Sequence, residues 1–201
     1  MLFLPIVFSA QKSCASHMMG ADIIYRCIDT LKFEITLKWY RDCRGVSLSP
    51  GNGPDRLLIL CTTGGSSQTA TLSLKSIREI TPVCATEPSQ CSPSNTIATG
   101  KGVEEHTYTG ILDFNTSPLN ALANCSGQIA IGAAIFARND AITPGPKETL
   151  YTDCTIDLNK APCNTSPALT SEPIAILCCD QPFYFNNGAL DTANFDSLTI
   201  H

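Results

Sequence analysis

The stretch LKFEITLKWY, residues 31–40, decides the fold class, because its apolar and polar side chains alternate strictly. Side chains of a β-strand point to opposite faces in turn, so this period of two predicts a half-buried strand. The preceding segment alternates in the same way at Met19, Ala21, Ile23, Tyr25 and Cys27. A hairpin with a three-residue loop at 28–30 keeps apolar side chains opposite one another, with Tyr25 facing Phe33 and Cys27 facing Leu31.

Further apolar runs rich in β-branched residues predict a series of short strands. These runs lie at 56–61, 69–77, 104–114, 127–138, 148–158, 173–179, 182–185 and 196–200, and clusters of Gly, Pro, Asn and Ser separate them. A weak helical pattern occurs only at 117–124. Many short strands between turn signals are typical of a sandwich. We therefore expect an all-β fold, an antiparallel immunoglobulin-like β-sandwich held by disulfides, with one module or two stacked modules.

The first 15 residues predict a signal peptide. The run MLFLPIVFSA is too short to span a bilayer, which takes roughly 20 residues, but it suits the apolar core of a signal whose basic part is missing or lies upstream. Small residues at Ser13 and Ala15 predict cleavage after Ala15; cleavage after Ser9, or a buried first strand, are the alternatives. We expect the sandwich at 16–162 and the start of a second, truncated immunoglobulin-like module at 163–201, which opens with a Pro-rich linker at 162–173.

Composition narrows the classes of function. The net charge is −5 and the basic residues are scattered, which argues against a nucleic-acid partner. Only 15% of residues are charged and 43% are hydrophobic, which argues against disorder. No apolar run is long enough for a transmembrane segment.

Eleven cysteines in 201 residues indicate an oxidising compartment. Cys-x-x-Cys does not occur, so disulfides are favoured over a zinc site. Cleavage after Ala15 would remove Cys14 and leave an even number. The disulfide candidates are then Cys27, Cys43, Cys61, Cys84, Cys91, Cys125, Cys154, Cys163, Cys178 and Cys179. Cys84 and Cys91 could close a Pro-rich loop, and the adjacent Cys178 and Cys179 should take different partners, but the pairing stays open.

The sequence gives little support for a catalytic site. Of the three histidines, His17 and His201 lie near the ends and His106 is expected on the exposed surface of a strand. Glu104 and Glu105 are adjacent, so on a strand they point to opposite faces. An alternative, hydrolytic function would need two carboxylates about 5–10 Å apart in a cleft. These would come from Glu34, Asp42, Glu104, Glu105, Asp113 or Asp153.

Asn186, Asn187, Asp191 and Asp196 offer oxygen ligands that could hold calcium. Their spacing does not match an EF-hand loop, and a hydrophilic loop between strands is the favoured interpretation. We expect no cofactor.

Three strings, SHMMGADIIYRC (16–27), FEITLKWYRDCRG (33–45) and CCDQPFYFNNGALDTANFDSL (178–198), resemble large secreted proteins of Bacteroidetes. Those proteins carry PKD or other immunoglobulin-like repeats and a gliding-motility-associated C-terminal sorting domain. The resemblance covers nearly the whole chain from Ser16. It implies export, type IX secretion and a place outside the cell or on its surface, often in adhesion, and it brings no catalytic residues.

Two departures from that family stand out. Residues 136–139 read Phe-Ala-Arg-Asn where family members often carry Cys-Cys-Arg-Asn, so the family's disulfide pattern cannot be carried over. The sorting domain is also absent, which predicts a fragment or a truncated reading frame.

The expected function is therefore a non-enzymatic extracellular or cell-surface module of an adhesin-like protein, acting in binding or as a spacer. Its partner would be an unknown extracellular ligand, a polysaccharide or a surface. Loops 45–55 and 85–102 are the longest Gly-, Pro- and Ser-rich segments, so they are candidate binding loops. A secreted carbohydrate-active or other hydrolytic enzyme is the alternative.

Overall fold

The computed structural model describes residues 18–45, 47–48, 53–81, 89, 91, 102–136, 138–139 and 149–173, and residues 182, 184, 186, 188–191, 193 and 198. The strands are β1 (Met18–Asp29), β2 (Lys32–Asp42), β3 (Arg56–Cys61), β4 (Ser67–Thr71), β5 (Ser73–Glu79), β6 (Val103–Asp113), β7 (Ile129–Phe136), β8 (Thr149–Ile156), β9 (Ala168–Leu169) and β10 (Ala189–Leu190). One 3-10 turn spans Leu119–Leu122.

The eight long strands form two four-stranded sheets. The first sheet has the order β1-β2-β6-β5 and the second β4-β3-β7-β8, and all neighbours are antiparallel. Successive strand pairs alternate between the two sheets, which is the strand order of immunoglobulin sandwiches. The predicted fold class, an all-β, disulfide-containing, antiparallel immunoglobulin-like sandwich, is confirmed. The two-residue strands β9 and β10 form a separate small pair that the sequence pattern does not predict.

The core lies between the sheets, and the alternating stretch 31–40 supplies its centre. Phe33, Ile35, Leu37 and Trp39 are all completely buried. The Phe33 ring meets the rings of Tyr25 and Phe114 edge-on at 5.9 and 6.2 Å between centroids. The buried Trp39 indole donates from Nε1 to the carbonyl of Pro54 at 2.8 Å, which satisfies its only polar atom.

The β1–β2 hairpin differs in register from the prediction. Tyr25 faces Ile35 and Cys27 faces Phe33, two residues away from the predicted pairs. The connection is a two-residue turn whose second residue, Leu31, has a φ of 58°, and a bulge between Cys27 and Asp29 takes up one extra residue. The bulge and the short turn together keep apolar side chains opposite one another, as the predicted three-residue loop would also do. Alternation of apolar and polar residues could therefore not distinguish between these two hairpin registers.

The predicted strand at 69–77 divides at Leu72, where the chain crosses from the second sheet to the first. Leu72 is buried, and its N–H donates to the Asp55 carbonyl at 2.7 Å. The weak helical pattern at 117–124 corresponds to the 3-10 turn. Of the predicted strands 173–179, 182–185 and 196–200, the structure describes only Pro173, Pro182, Tyr184 and Leu198, and none of these four is in a strand. The signal peptide lies outside the described residues, as do most of the candidate loop 85–102 and residues 46 and 49–52 of the candidate loop 45–55.

Residues 162–166 cover the free edge of β1. The carbonyl of Pro162 accepts from the Leu31 N–H at 2.9 Å. The Ser166 N–H donates to the Tyr25 carbonyl at 2.9 Å, and the Ser166 hydroxyl accepts from the Tyr25 N–H. The part of β1 from Tyr25 onward is paired in this way and does not present an open edge to other strands. The module boundary expected at residue 163 stays a prediction. Beyond it, Ser166 bonds to Tyr25 on β1, and Glu172 bonds to Arg78 on β5 of the first sheet.

Candidate functional site

Three disulfides join six of the candidate cysteines: Cys27–Cys163, Cys43–Cys91 and Cys61–Cys125. The first ties β1 to the segment along its edge, and the second ties the end of β2 to the chain before β6. The third ties the end of β3 to the chain that follows the 3-10 turn, and both of its cysteines are buried. Each bridge therefore fixes a strand end to a segment distant in sequence.

The structure decides one pairing that the sequence left open and corrects one disulfide candidate. Cys91 bonds to Cys43 and not to Cys84, because the strand order brings the end of β2 beside the chain that enters β6. Cys154 carries a free thiol: on β8 it lies opposite Ile131 and packs against the core. Burial, with the nearby Asp153 charge, raises the pKa of this thiol to about 12. Cys84, Cys178 and Cys179 lie outside the described residues, as do Cys14, His17 and His201.

His106 is buried, at 4% exposure, and the expectation of a surface histidine is wrong. It lies opposite Trp39 on the inward face of β6, two residues from the buried Tyr108. Its Nε2 is 3.0 Å from a Glu104 oxygen; since a carboxylate only accepts, Nε2 carries the proton. The shared face of His106 and Tyr108 was a usable signal, because residues two apart on a strand point the same way.

The Glu104 carboxylate is the centre of a polar cluster that closes one end of the core. Arg41 donates to the same Glu104 oxygen from Nη2 at 2.8 Å and from Nε at 3.2 Å. Arg41 also donates to the carbonyl of Gly45 at 2.8 Å. Burial alone would raise the pKa of Glu104, but the hydrogen bonds and charges of Arg41 and His106 outweigh it and lower the pKa. This carboxylate is held in its charged form.

Glu105 lies on the opposite, outer face of the first sheet, as expected for the neighbour of Glu104. Lys38 is 3.1 Å from one of its oxygens and Arg78 is 3.4 Å from the other. Glu105 and Glu104 thus have different partners on different faces.

The other candidate carboxylates are spread over the two sheets. Arg26 pairs with Glu34 at 2.9 Å, Arg44 with Asp42 at 3.2 Å and Lys32 with Asp113 at 3.4 Å, while Asp153 lies opposite Gly132 in register. Burial favours a raised pKa for Asp42, but hydrogen bonds from Arg44 outweigh it and lower the pKa. Hydrogen bonds from Asn115 lower the pKa of Asp113. A general acid needs a raised pKa, so Asp42 and Asp113 suit ion pairing better than proton donation at neutral pH.

One group of side chains has the proximity of a metal site. The sulfurs of Cys43 and Cys91 and an oxygen of Glu104 lie within 4.8 Å of one another. The two sulfurs are joined in a disulfide, however, and metals bind thiolates. Of the four calcium candidates, Asn187 and Asp196 lie outside the described residues. The Asn186 side chain accepts from the Gly188 N–H at 2.8 Å, which is a turn contact, and a calcium site with Asp191 stays a prediction.

Comparison with known proteins found no match: no family model, no curated protein and no solved structure matches this chain. Among the described residues there is no helix of the length and apolarity that a membrane crossing requires. The fold and the site define the class of a disulfide-tied immunoglobulin-like sandwich, with ion pairs on both faces of its first sheet.

Proposed function

We propose that this chain is a non-enzymatic module that acts outside the cell or on its surface, in binding or as a structural spacer. The three disulfides are the observation that supports this proposal most strongly. Disulfides form and persist in exported proteins and are rare in reducing cytosol. The signal peptide predicted at 1–15 and the resemblance of the chain from Ser16 onward to secreted Bacteroidetes surface proteins agree with that location. Type IX secretion is the route that the resemblance implies.

Ion pairing of the carboxylates supports a scaffold over the alternative, a secreted hydrolase. Glu104 pairs with Arg41 across β6 and β2, and Glu105 pairs with Lys38 across the same two strands. Each pair fixes the register of neighbouring strands on one face of the first sheet. A module stiffened at its strand ends by disulfides and on both faces by ion pairs suits a load-bearing or ligand-presenting part of a larger surface protein.

The test of location fuses the full chain to alkaline phosphatase, which is active only where its own disulfides form. We expect activity in cells, and the same fusion without residues 1–15 is the matched control. Equal activity of the two fusions would contradict the signal peptide. An inactive full-length fusion would contradict export.

The test of the disulfides is non-reducing peptide mapping of the exported protein by mass spectrometry. We expect three linked peptide pairs that join Cys27 to Cys163, Cys43 to Cys91 and Cys61 to Cys125. Rapid alkylation of these six cysteines without a reductant would overturn the proposal.

A further inference from the structure

A polar cavity of about 200 Å³ lies on the outer face of the first sheet. Its floor is formed by Asp22 on β1, Lys38 and Tyr40 on β2, Glu105 on β6 and Arg78 on β5. Residues 169–173 form its other wall. We call this space the outer-face cavity. It is separate from the core-side cluster of Glu104 and His106, because it lies on the other face of the sheet.

The floor is held in place by hydrogen bonds among its own side chains. The Tyr40 hydroxyl donates to Asp22 Oδ2 at 2.6 Å. Lys38 and Arg78 bind the two different oxygens of Glu105, at 3.1 and 3.4 Å, and the Thr107 hydroxyl donates to the oxygen that Arg78 contacts. Glu105 is 7% exposed at its side chain. Such pre-set polar groups bind a ligand without much loss of side-chain freedom.

The other wall is anchored from both ends. Glu172 accepts from Arg78 Nη1 at 2.6 Å, which holds residues 169–173 beside the sheet. Leu169 lies in the β9–β10 pair, and the Thr170 hydroxyl donates to the Gly188 carbonyl at 2.8 Å. The space between wall and floor is therefore built by hydrogen-bonded side chains on both sides.

The charges select the class of ligand. Three carboxylates and two cations line the cavity, so its net charge is −1, which disfavours an anion. A divalent cation would have to displace the ammonium and guanidinium groups from Glu105. A neutral ligand with many hydroxyl groups meets neither obstacle, because each hydroxyl both donates and accepts.

Donors and acceptors for such a ligand are present. Among the described contacts, Asp22 Oδ1 and Glu172 Oε2 take part in no hydrogen bond or ion pair, so they can accept. The Lys38 ammonium has three donors and its described contacts are to Glu105 alone, and the Ser171 hydroxyl lines the same space. In ligand sites, a few placed polar groups fix the orientation of the ligand, and here such acceptors and donors converge on one cavity.

We propose that the outer-face cavity binds one monosaccharide unit of a glycan, with Asp22 and Glu172 accepting from its hydroxyl groups and Lys38 donating to it. This inference rests on the proposed extracellular binding function and names its ligand class and site. The cavity holds a single sugar ring, so affinity for a monosaccharide should be weak, with a Kd of about 1 mM.

The experiment is a titration of the ¹⁵N-labelled oxidised full chain, followed by NMR, with methyl β-D-glucoside, methyl β-D-galactoside and methyl α-D-mannoside. At least one glycoside should give saturable shifts in the amide signals of Asp22, Lys38 and residues 169–173. Glu172→Ala should weaken binding at least tenfold, because it removes one charge-assisted hydrogen bond to the ligand and also the bond from Arg78 that holds the wall. Asp22→Asn should do the same, because the single amide oxygen is needed by Tyr40.

Glu34→Ala is the matched control, since it removes an exposed, ion-paired glutamate from the same sheet face outside the cavity. It should leave the affinity unchanged. Absence of saturable shifts with all three glycosides, shifts confined to other parts of the chain, or equal losses in Glu172→Ala and Glu34→Ala would each overturn the site. Binding of the zwitterion glycine in place of every glycoside would also overturn it. Intact disulfides together with absent binding would refute this site alone, whereas free thiols in the exported protein would refute the proposed location.

Discussion

Replacing Cys61 and Cys125 together by alanine tests how much a long-range bridge stabilises the sandwich. The two residues are 64 apart in sequence, and both are buried. In the chain-entropy model, a closed loop of that length stabilises the folded state by about 4 kcal/mol. The lost sulfur atoms add a cavity cost of about 1 kcal/mol. We therefore expect the free energy of unfolding to fall by about 4–5 kcal/mol, a large share of the roughly 5–15 kcal/mol typical of a domain.

The chain itself supplies the probe for this measurement. Trp39 is the only tryptophan in the sequence and is completely buried, so its fluorescence shifts when water reaches the core. Urea titrations of parent and double variant, followed at this tryptophan, give both free energies by linear extrapolation. If the double variant is largely unfolded in water, the same titration with a stabilising osmolyte recovers its folded baseline.

Cys154→Ala is the matched control for the double variant. It removes a partly buried thiol that forms no disulfide, and we expect a loss of about 1 kcal/mol or less. A double variant no less stable than Cys154→Ala would refute the reasoning, since the bridge would then contribute nothing beyond the volume of its sulfur atoms.

Three further substitutions or treatments test separate features. Gly110→Ala should lower the free energy of unfolding by about 1–3 kcal/mol, because an added Cβ would lie 2.6 Å from the side chain of the buried Leu72. The control Gly20→Ala, whose added Cβ would have its nearest neighbour at 3.6 Å, should cost far less. Equal losses in the two variants would contradict the packing around Gly110. Glu104→Gln should cost about 2 kcal/mol near neutral pH. Because the pKa of Glu104 is lowered in the folded chain, its contribution is complete above its ordinary pKa and is lost as pH falls through the folded value. Parent and variant should therefore converge in acid urea titrations, and a constant gap would refute the charge assignment. Cys154 should react with iodoacetamide slowly in the native protein at about pH 8 and quickly in urea, since burial raises the pKa of its thiol to about 12. Peptide mapping measures the extent of modification. Equal reaction rates in the two conditions would contradict the burial of this thiol.

Local alternation predicted much of the sandwich. The inward set Phe33, Ile35, Leu37 and Trp39 is correct, and so are the strands near 56–61, 104–114, 127–138 and 148–158. The hairpin register could not be predicted because a bulge beside Cys27 and a two-residue turn give the same matching of apolar faces as a longer loop. His106 was placed wrongly because a histidine among charged residues suggests a surface, although its face is shared with Tyr108.

Less of the candidate site than of the fold could be predicted from the sequence. The outer-face cavity brings Asp22, Lys38, Arg78 and Glu172 together from four segments, and Arg78 and Glu172 are 94 residues apart. No local pattern links them, because each is one charged residue on an otherwise ordinary strand or loop. The bridge between Cys27 and Cys163 spans 136 residues for the same reason.

The sequence by itself determined that this protein is an all-β, cysteine-rich sandwich, because side-chain alternation along a strand is a local property that the pleated backbone imposes. Only the tertiary structure decided which cysteines pair, which face buries His106 and where charged side chains enclose a cavity. Those features depend on the order of strands in two sheets, which is fixed by contacts between residues far apart in the chain.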